Sequence, residues 1–241
     1  LGILFFTYFL LKKKIVIEDI KILIFLFLIT IIFILLYKNH DDFHYYHFPY
    51  TYILTEYSQP IGIGLLNIGF NTHSSIFYLA SLFHLPGSYY NLFHLPAAIF
   101  MFFTNIFFLS TIYKNTFVKK NLYILFFVTS CFIFINIFFY RLAEHGTDRS
   151  AMILILIFIV QILIILNRKF EKDDINQFKF LIILSSLIIS LKAIYILYLV
   201  LFIPIILKIF KKKSFFEVFK TYSFYLSSIL FLFVISTNFF N

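Results

Sequence analysis

Uncharged apolar runs leave this chain little choice of fold. They extend from Ile22 to Tyr37, Tyr90 to Tyr113, Leu122 to Tyr140, Ala151 to Leu166, Phe180 to Leu191, Ala193 to Ile209 and Tyr222 to Ser236, with a shorter run at Leu1 to Leu11. About 20 apolar residues in a helix cross the ~30 Å of bilayer hydrocarbon, where backbone groups must be satisfied within the segment. The expected fold is an all-α integral membrane protein with about seven transmembrane helices plus a truncated N-terminal one. Phe180 to Ile209 is longer than one crossing needs and is broken by Lys192, so it reads as a hairpin turning at that lysine, its first half short. Residues 1–241 read as a single polytopic membrane domain. The start at Leu1 and the stop just past a hydrophobic run give the expectation of a fragment of a longer protein.

Charge orients the spans. If every run crosses, Lys12, Lys13, Lys14, Lys21, Lys114, Lys119, Lys120, Arg168, Lys169, Lys172, Lys179, Lys208, Lys211, Lys212, Lys213 and Lys220 share one side. Of the 20 basic residues only Lys38, Arg141, Arg149 and Lys192 take the other. Basic loops stay cytoplasmic, so the expected placement is a multi-pass inner (cytoplasmic) membrane with the active face outward. The net charge of +9 then reflects topology and contact with anionic membrane lipid, which argues against a nucleic-acid partner. Hydrophobic residues make up 62% of the chain, and Phe 38 and Tyr 17 beside Trp 0 read as AT-rich coding bias. Aromatic stripes are accordingly read as lipid-facing or packing residues. The single Cys131 lies in an apolar run and excludes a disulfide framework or a cysteine metal site.

His40, His44, His47, His73, His84, His94 and His145 all fall on the outer side or in the outer end of a span. Residues 38–88 form the first large outer loop, which opens on Asp41-Asp42. Pro49 and Pro60 break it, Gly62, Gly64 and Gly69 mark turns, and Asn71-Thr72-His73-Ser74-Ser75 caps the run Ile76 to Leu85, closed by Pro86-Gly87. That run is too short to span and reads as an interfacial helix with Phe77, Leu79, Leu82 and Phe83 among its buried residues. Leu82-Phe83-His84-Leu85-Pro86 and Leu92-Phe93-His94-Leu95-Pro96 echo one another, marking two Pro-bounded helix starts.

Two outer segments carry the candidate chemistry. Adjacent carboxylates suit a division of labour between a general base and a cation ligand, and like charges raise one pKa; the bland reading of Asp41-Asp42 is a solvated helix end. His40, His44 and His47 are spaced to share one face of a helix that Pro49 limits to about two turns, with imidazoles that suit a transition metal. The carboxylates alone suit a divalent cation such as Mg or Mn. The second segment is Arg141-Leu142-Ala143-Glu144-His145-Gly146-Thr147-Asp148-Arg149-Ser150. Arg141 and Arg149 offer forked donors to an anion, and Lys192 is a further outer cation. Glu144 and Asp148 are spaced for one helical face, which Gly146 weakens. The bland alternative pairs Glu144 with Arg141 or Asp148 with Arg149. Asn105, Asn136 and Gln161 are the main polar side chains inside the spans, so the work is expected at the outer surface rather than in an ion-coupled pathway.

A membrane helix emptying into an outer loop that begins with an acidic pair, an interfacial helix and a second acidic outer loop resembles the glycosyltransferase-C superfamily. That superfamily includes protein mannosyltransferases and the lipid A aminoarabinose transferase. Asp41-Asp42-Phe43-His44-Tyr45-Tyr46-His47-Phe48-Pro49, Gly62-Ile63-Gly64-Leu65-Leu66-Asn67 and Glu144-His145-Gly146-Thr147-Asp148 are similar to multispanning bacterial envelope proteins that are distant members of it. The resemblance implies transfer of a sugar from a polyprenyl-phosphate carrier, with Asp41 or Asp42 as general base or metal holder. Arg141 or Arg149 would stabilise the departing phosphate, with His44, His47, Glu144, His145, Asp148 and Lys192 as further substrate contacts. The superfamily has its acidic pair after the first span, whereas here it follows a second hydrophobic segment; either Leu1 to Leu11 is no span or the chain has an added one. The alternative class is a non-catalytic envelope component or transporter subunit.

Overall fold

The computed structural model describes residues 17–36, 38–58, 61–72, 74–85, 90–119, 121–167, 172–210, 220 and 222–240. The expectations for Leu1 to Leu11, Lys12 to Lys14, Pro60, His73, Pro86, Gly87, Lys120, Arg168, Lys169 and Lys211 to Lys213 lie outside the described residues. All regular elements among those described are helical. The long helices are α1 (Ile17–Leu35), α4 (Leu95–Tyr113), α5 (Leu122–Phe138), α6 (Asp148–Leu166), α7 (Lys172–Leu191) and α9 (Tyr222–Phe240); α2 (Phe48–Glu56), α3 (Ser75–Ser81) and α8 (Phe202–Phe210) are short. Helix α6 is the centre, packed by α4, α5 and α7, while α1 lies on α4 and α9 on α7. Its Ile153, Phe158 and Ile165 are almost fully buried with Met101 and Phe108 of α4.

Among the described residues, two helices are long and apolar enough to cross a membrane, Leu92–Thr116 and Asp148–Leu166. Five other apolar helices, Ile20–Leu35, Leu122–Phe138, Ile175–Leu191, Ala193–Lys208 and Phe224–Phe233, are shorter. Their outer faces stay apolar: Phe25 and Phe27 on α1, Tyr123 and Phe126 on α5, and Ile229 and Leu232 on α9 are exposed. Several polar side chains within the bundle are satisfied locally. Thr30, Thr104 and Thr111 donate to the carbonyls of Leu26, Phe100 and Phe107 one turn back. Asn105 and Asn136 exchange amide hydrogen bonds at 3.3 and 2.7 Å, and Gln161 donates to Gln177 at 2.8 Å. Such closure is what a helix packed among apolar neighbours requires, because an unmet amide there costs free energy.

The hairpin at Lys192 is present, since α7 ends at Leu191 and Lys192 is extended (φ −152°, ψ 113°). Its two arms differ from the expectation. The first is not short, because the helix begins in the polar segment at Lys172 and Gln177 is used against Gln161. The second opens with nine residues of 3-10 helix, Ala193–Leu201, before α8. The short helix read within Ile76 to Leu85 is also present as α3, with Ser74 as its N-cap accepting from Ile76 N–H at 3.3 Å. Ser74 also donates to the Leu191 carbonyl at 2.6 Å, and the Ser75 and Ser190 hydroxyls are 2.8 Å apart. Those bonds dock α3 on the end of α7, at the same end of the bundle as Lys192. Phe77 is buried as expected, but Leu82 is 77% exposed because the helix stops at Ser81 and Leu82 falls in the turn beyond it.

Candidate functional site: a histidine and acid group facing a charged loop

Pro49 organises residues 43–56 differently from its expected role as a helix stop. The chain runs through a π-helical turn, Phe43–His47, directly into α2, with Pro49 in the first turn of α2. A proline there leaves the carbonyl four residues back without its helical donor. That carbonyl is Tyr45's, and Asn67 Nδ2 donates to it at 3.1 Å. Gly69 permits the approach, since a Cβ there would sit 2.7 Å from the Tyr46 ring. Gly62, at φ +78°, makes the left-handed turn that brings residues 63–71 back.

The widened turn regroups the imidazoles. His40 and His47 come together with ring centroids 5.1 Å apart, whereas His44 is exposed with its ring against Phe43. The expected single face of His40, His44 and His47 is therefore not formed, because His40 precedes the helix and the π-turn rotates His44 away. His40 Nδ1 accepts from the Asp42 N–H at 3.1 Å and lies 3.8 Å from Asp42 Oδ2. One ligand-type atom from each of His40, Asp42 and His47 lies within 4.8 Å of the others. Asp41 is exposed beside them.

The loop of residues 141–149 closes over this group. His40 N–H donates to the Ala143 carbonyl at 3.2 Å. Gly146, at φ +49°, faces both rings, and a Cβ there would be 2.8 Å from His47 Cε1 and 3.6 Å from His40 Cδ2. Glu144 is buried and receives Arg141 at 3.3 Å, Arg149 at 2.5 Å and Lys38 at 3.4 Å. Burial works to raise its pKa, but hydrogen bonds from Arg149 and Arg141, with Lys38, hold its carboxyl below the usual carboxylate range. Asp148 pairs instead with Lys192 at 3.0 Å, and Lys192 Nζ reaches Thr147 Oγ1 at 3.5 Å. Gly146 breaks the helical face that Glu144 and Asp148 were expected to share: Glu144 sits in a 3-10 turn and Asp148 opens α6.

Beneath the loop lies a cavity of about 40 Å³, lined in part by His47, His94 and His145, with room for one or two waters. His145 is buried, and one of its ring nitrogens, Nε2, is 2.6 Å from the Phe139 carbonyl, which assigns the proton to Nε2. His145 Nδ1 and His47 Nε2 are buried without a protein partner. Burial lowers the pKa of both imidazoles to about 4, with the neighbouring His40 adding to the effect on His47, so both are neutral near pH 7. Burial, with Asp42 and Asp148, pushes the Tyr46 hydroxyl up. At the opposite end of the bundle a larger cavity, about 510 Å³, is lined by Lys114 and amides including Asn115, Asn121, Gln161 and Gln177, away from the acids and imidazoles.

A family model matches residues 3–240, and its description is a domain of unknown function, DUF8201. The chain belongs to the DUF8201 family. No curated protein and no solved structure matches it. In this DUF8201 chain the structure thus brings Asp42, His47, Arg141, Glu144, His145, Asp148, Arg149 and Lys192 to one end, with Asp41 and His44 on the exposed side of the same turn. Sequence reasoning gave Lys38 only a topological role and Gly146 only that of a helix breaker. Lys38 was recoverable as the outer cation nearest the acid pair; the contact of Gly146 with two imidazoles depends on a pairing of distant segments that no local pattern encodes.

Proposed function

We propose that this chain is a seven-span inner-membrane protein of the cell envelope whose outward end transfers a sugar from a polyprenyl-phosphate carrier to an acceptor. The spans are α1, α4, α5, α6, α7, the segment Ala193–Phe210 and α9. The observation that carries the reading is the charge arrangement at one end: a single buried carboxylate, Glu144, is met by Lys38, Arg141 and Arg149, with the Asp41-Asp42 pair alongside. Three cations meet Glu144, although Asp41, Asp42 and the Asp148–Lys192 pair bring the charges of this end into balance; the forked guanidinium donors suit a phosphate group beside an apolar bundle. In this reading Asp42 or Asp41 takes the proton of the acceptor hydroxyl. The guanidinium groups and Lys38 stabilise the charge that grows on the departing carrier phosphate, and α3 shapes the groove for the lipid chain. One observation favours the alternative, a non-catalytic envelope component or transporter subunit: both guanidinium groups already bond Glu144, as they would in a purely structural loop.

The test is Asp41→Asn and Asp42→Asn in the full-length protein, which keep side-chain size and remove the proton acceptor. Loss of a general base costs about 10²- to 10⁴-fold in rate. Membranes carrying the decisive variant should accumulate lipid-linked sugar and lose transferred product at normal protein abundance. Wild-type product levels in both variants would return the protein to the non-catalytic alternative.

A further inference from the structure

We propose that His40, Asp42 and His47 form a binding site for a first-row transition-metal cation of the Zn²⁺ type. The site rests on the geometry of these side chains and does not depend on the transfer reaction. Their ligand atoms lie within 4.8 Å of one another, drawn from both ends of a single π-helical turn. Ligands about 2.0–2.1 Å from a tetrahedral metal are separated by roughly 3.3 Å, so loading requires the group to contract by about 1.5 Å at its widest. The parts that must move are able to: the His40 and Asp42 side chains are 35% and 48% exposed. His47 is the fixed member, held between the Tyr46 ring at 4.4 Å, the Phe77 ring at 5.4 Å and Gly146.

Two further observations point to a ligand. His47 is only 6% exposed, yet its Nε2 has no protein partner, an arrangement that costs free energy in an empty fold. His40 Nδ1 accepts from the Asp42 N–H, which makes it the lone-pair nitrogen, and that lone pair already lies 3.8 Å from Asp42 Oδ2. Ligation exchanges that hydrogen bond for a metal bond. Two nitrogens and one carboxylate select Zn²⁺, Co²⁺, Ni²⁺ or Fe²⁺ over the all-oxygen preference of Mg²⁺, and three protein ligands leave a position open toward the mouth. The backbone bond from His40 N–H to the Ala143 carbonyl fixes the ligand's main chain from the second loop. A metal here would commit Asp42 and leave exposed Asp41 as the carboxylate free to take a proton.

The test uses the full-length protein, purified in detergent, stripped with EDTA and titrated with ZnCl₂ by calorimetry and with CoCl₂ by visible absorption. The expected result is one ion per chain, low-coordinate Co²⁺ absorption bands and a higher thermal midpoint with Zn²⁺. His47→Ala and Asp42→Asn should each weaken binding by more than the roughly 10- to 100-fold typical of second-shell changes. His44→Ala, on the exposed side of the same turn, should bind as wild type. Should His47→Ala fail to fold, Asp42→Asn carries the comparison, because the carboxylate is half exposed and its replacement is isosteric. No saturable binding by wild type, or equal loss in His44→Ala and Asp42→Asn, would overturn the site.

Discussion

Gly146→Ala should lower the thermal midpoint of the detergent-solubilised protein by about 4 to 20 °C, and Gly146→Val by more. Two independent costs add. The backbone at φ +49° is a conformation that costs an L-residue roughly 1–2 kcal/mol. The new Cβ would also stand 2.8 Å from His47 Cε1, and the ring has no room to retreat because Tyr46 and Phe77 pack against it. Overpacking of this kind costs about 1–3 kcal/mol, and a chain of this size loses about 2–4 °C per kcal/mol. The steric share is separable. In His47→Ala the clash partner is gone, so adding Gly146→Ala should cost only the backbone share, giving a coupling of about 1–3 kcal/mol in the double-mutant cycle. Strict additivity would mean that the second outer loop does not rest on His47.

Glu144→Gln should have an effect of similar size through charge. The substitution preserves shape and one acceptor, but leaves Lys38, Arg141 and Arg149 around a neutral amide in a loop where Glu144 is 8% exposed. Breaking a buried ion pair typically costs 3–5 kcal/mol. On the order of 3 applies here, because the three cations are themselves part-exposed. The folded-state pKa of Glu144 is depressed, so its contribution is present above the unfolded value of about 4.3 and is lost as pH falls below it. Thermal unfolding at pH 7 should therefore separate wild type from Glu144→Gln, and the difference should shrink on acidification. Millimolar phosphate should restore part of the variant's stability by occupying the uncovered cations. An unchanged midpoint at pH 7 would remove Glu144 as the hub of the charged loop.

Much of this arrangement was legible one element at a time. Long uncharged runs announce helices because nothing in them competes with helical hydrogen bonding, and Lys192 announces the hairpin because a charge is cheapest at a turn. Ser74 announces α3 because its hydroxyl caps the first free N–H. What stayed hidden depends on pairings between segments. The spacing of His40, His44 and His47 suggested one helical face, but the turn is π-helical and closes on Pro49, so only His40 and His47 converge. The charges of residues 141–149 offered several pairings, and Glu144 takes both arginines together with Lys38, which enters from more than a hundred residues away. Asp148 is drawn to Lys192 by the docking of α6 on α7, a packing fact with no local signature.

The most direct test of the account is the sidedness of its two ends. Single cysteines are placed by Asp42→Cys, Lys192→Cys and Lys114→Cys in a Cys131→Ala background and treated in intact cells with a membrane-impermeant maleimide. Asp42 and Lys192 belong to the end that holds the acids and imidazoles, and Lys114 borders the cavity at the other end. The account predicts that the cysteines at positions 42 and 192 react from outside, while the one at 114 reacts only after the membrane is permeabilised. Labelling of Asp42→Cys and Lys114→Cys from the same side would contradict it.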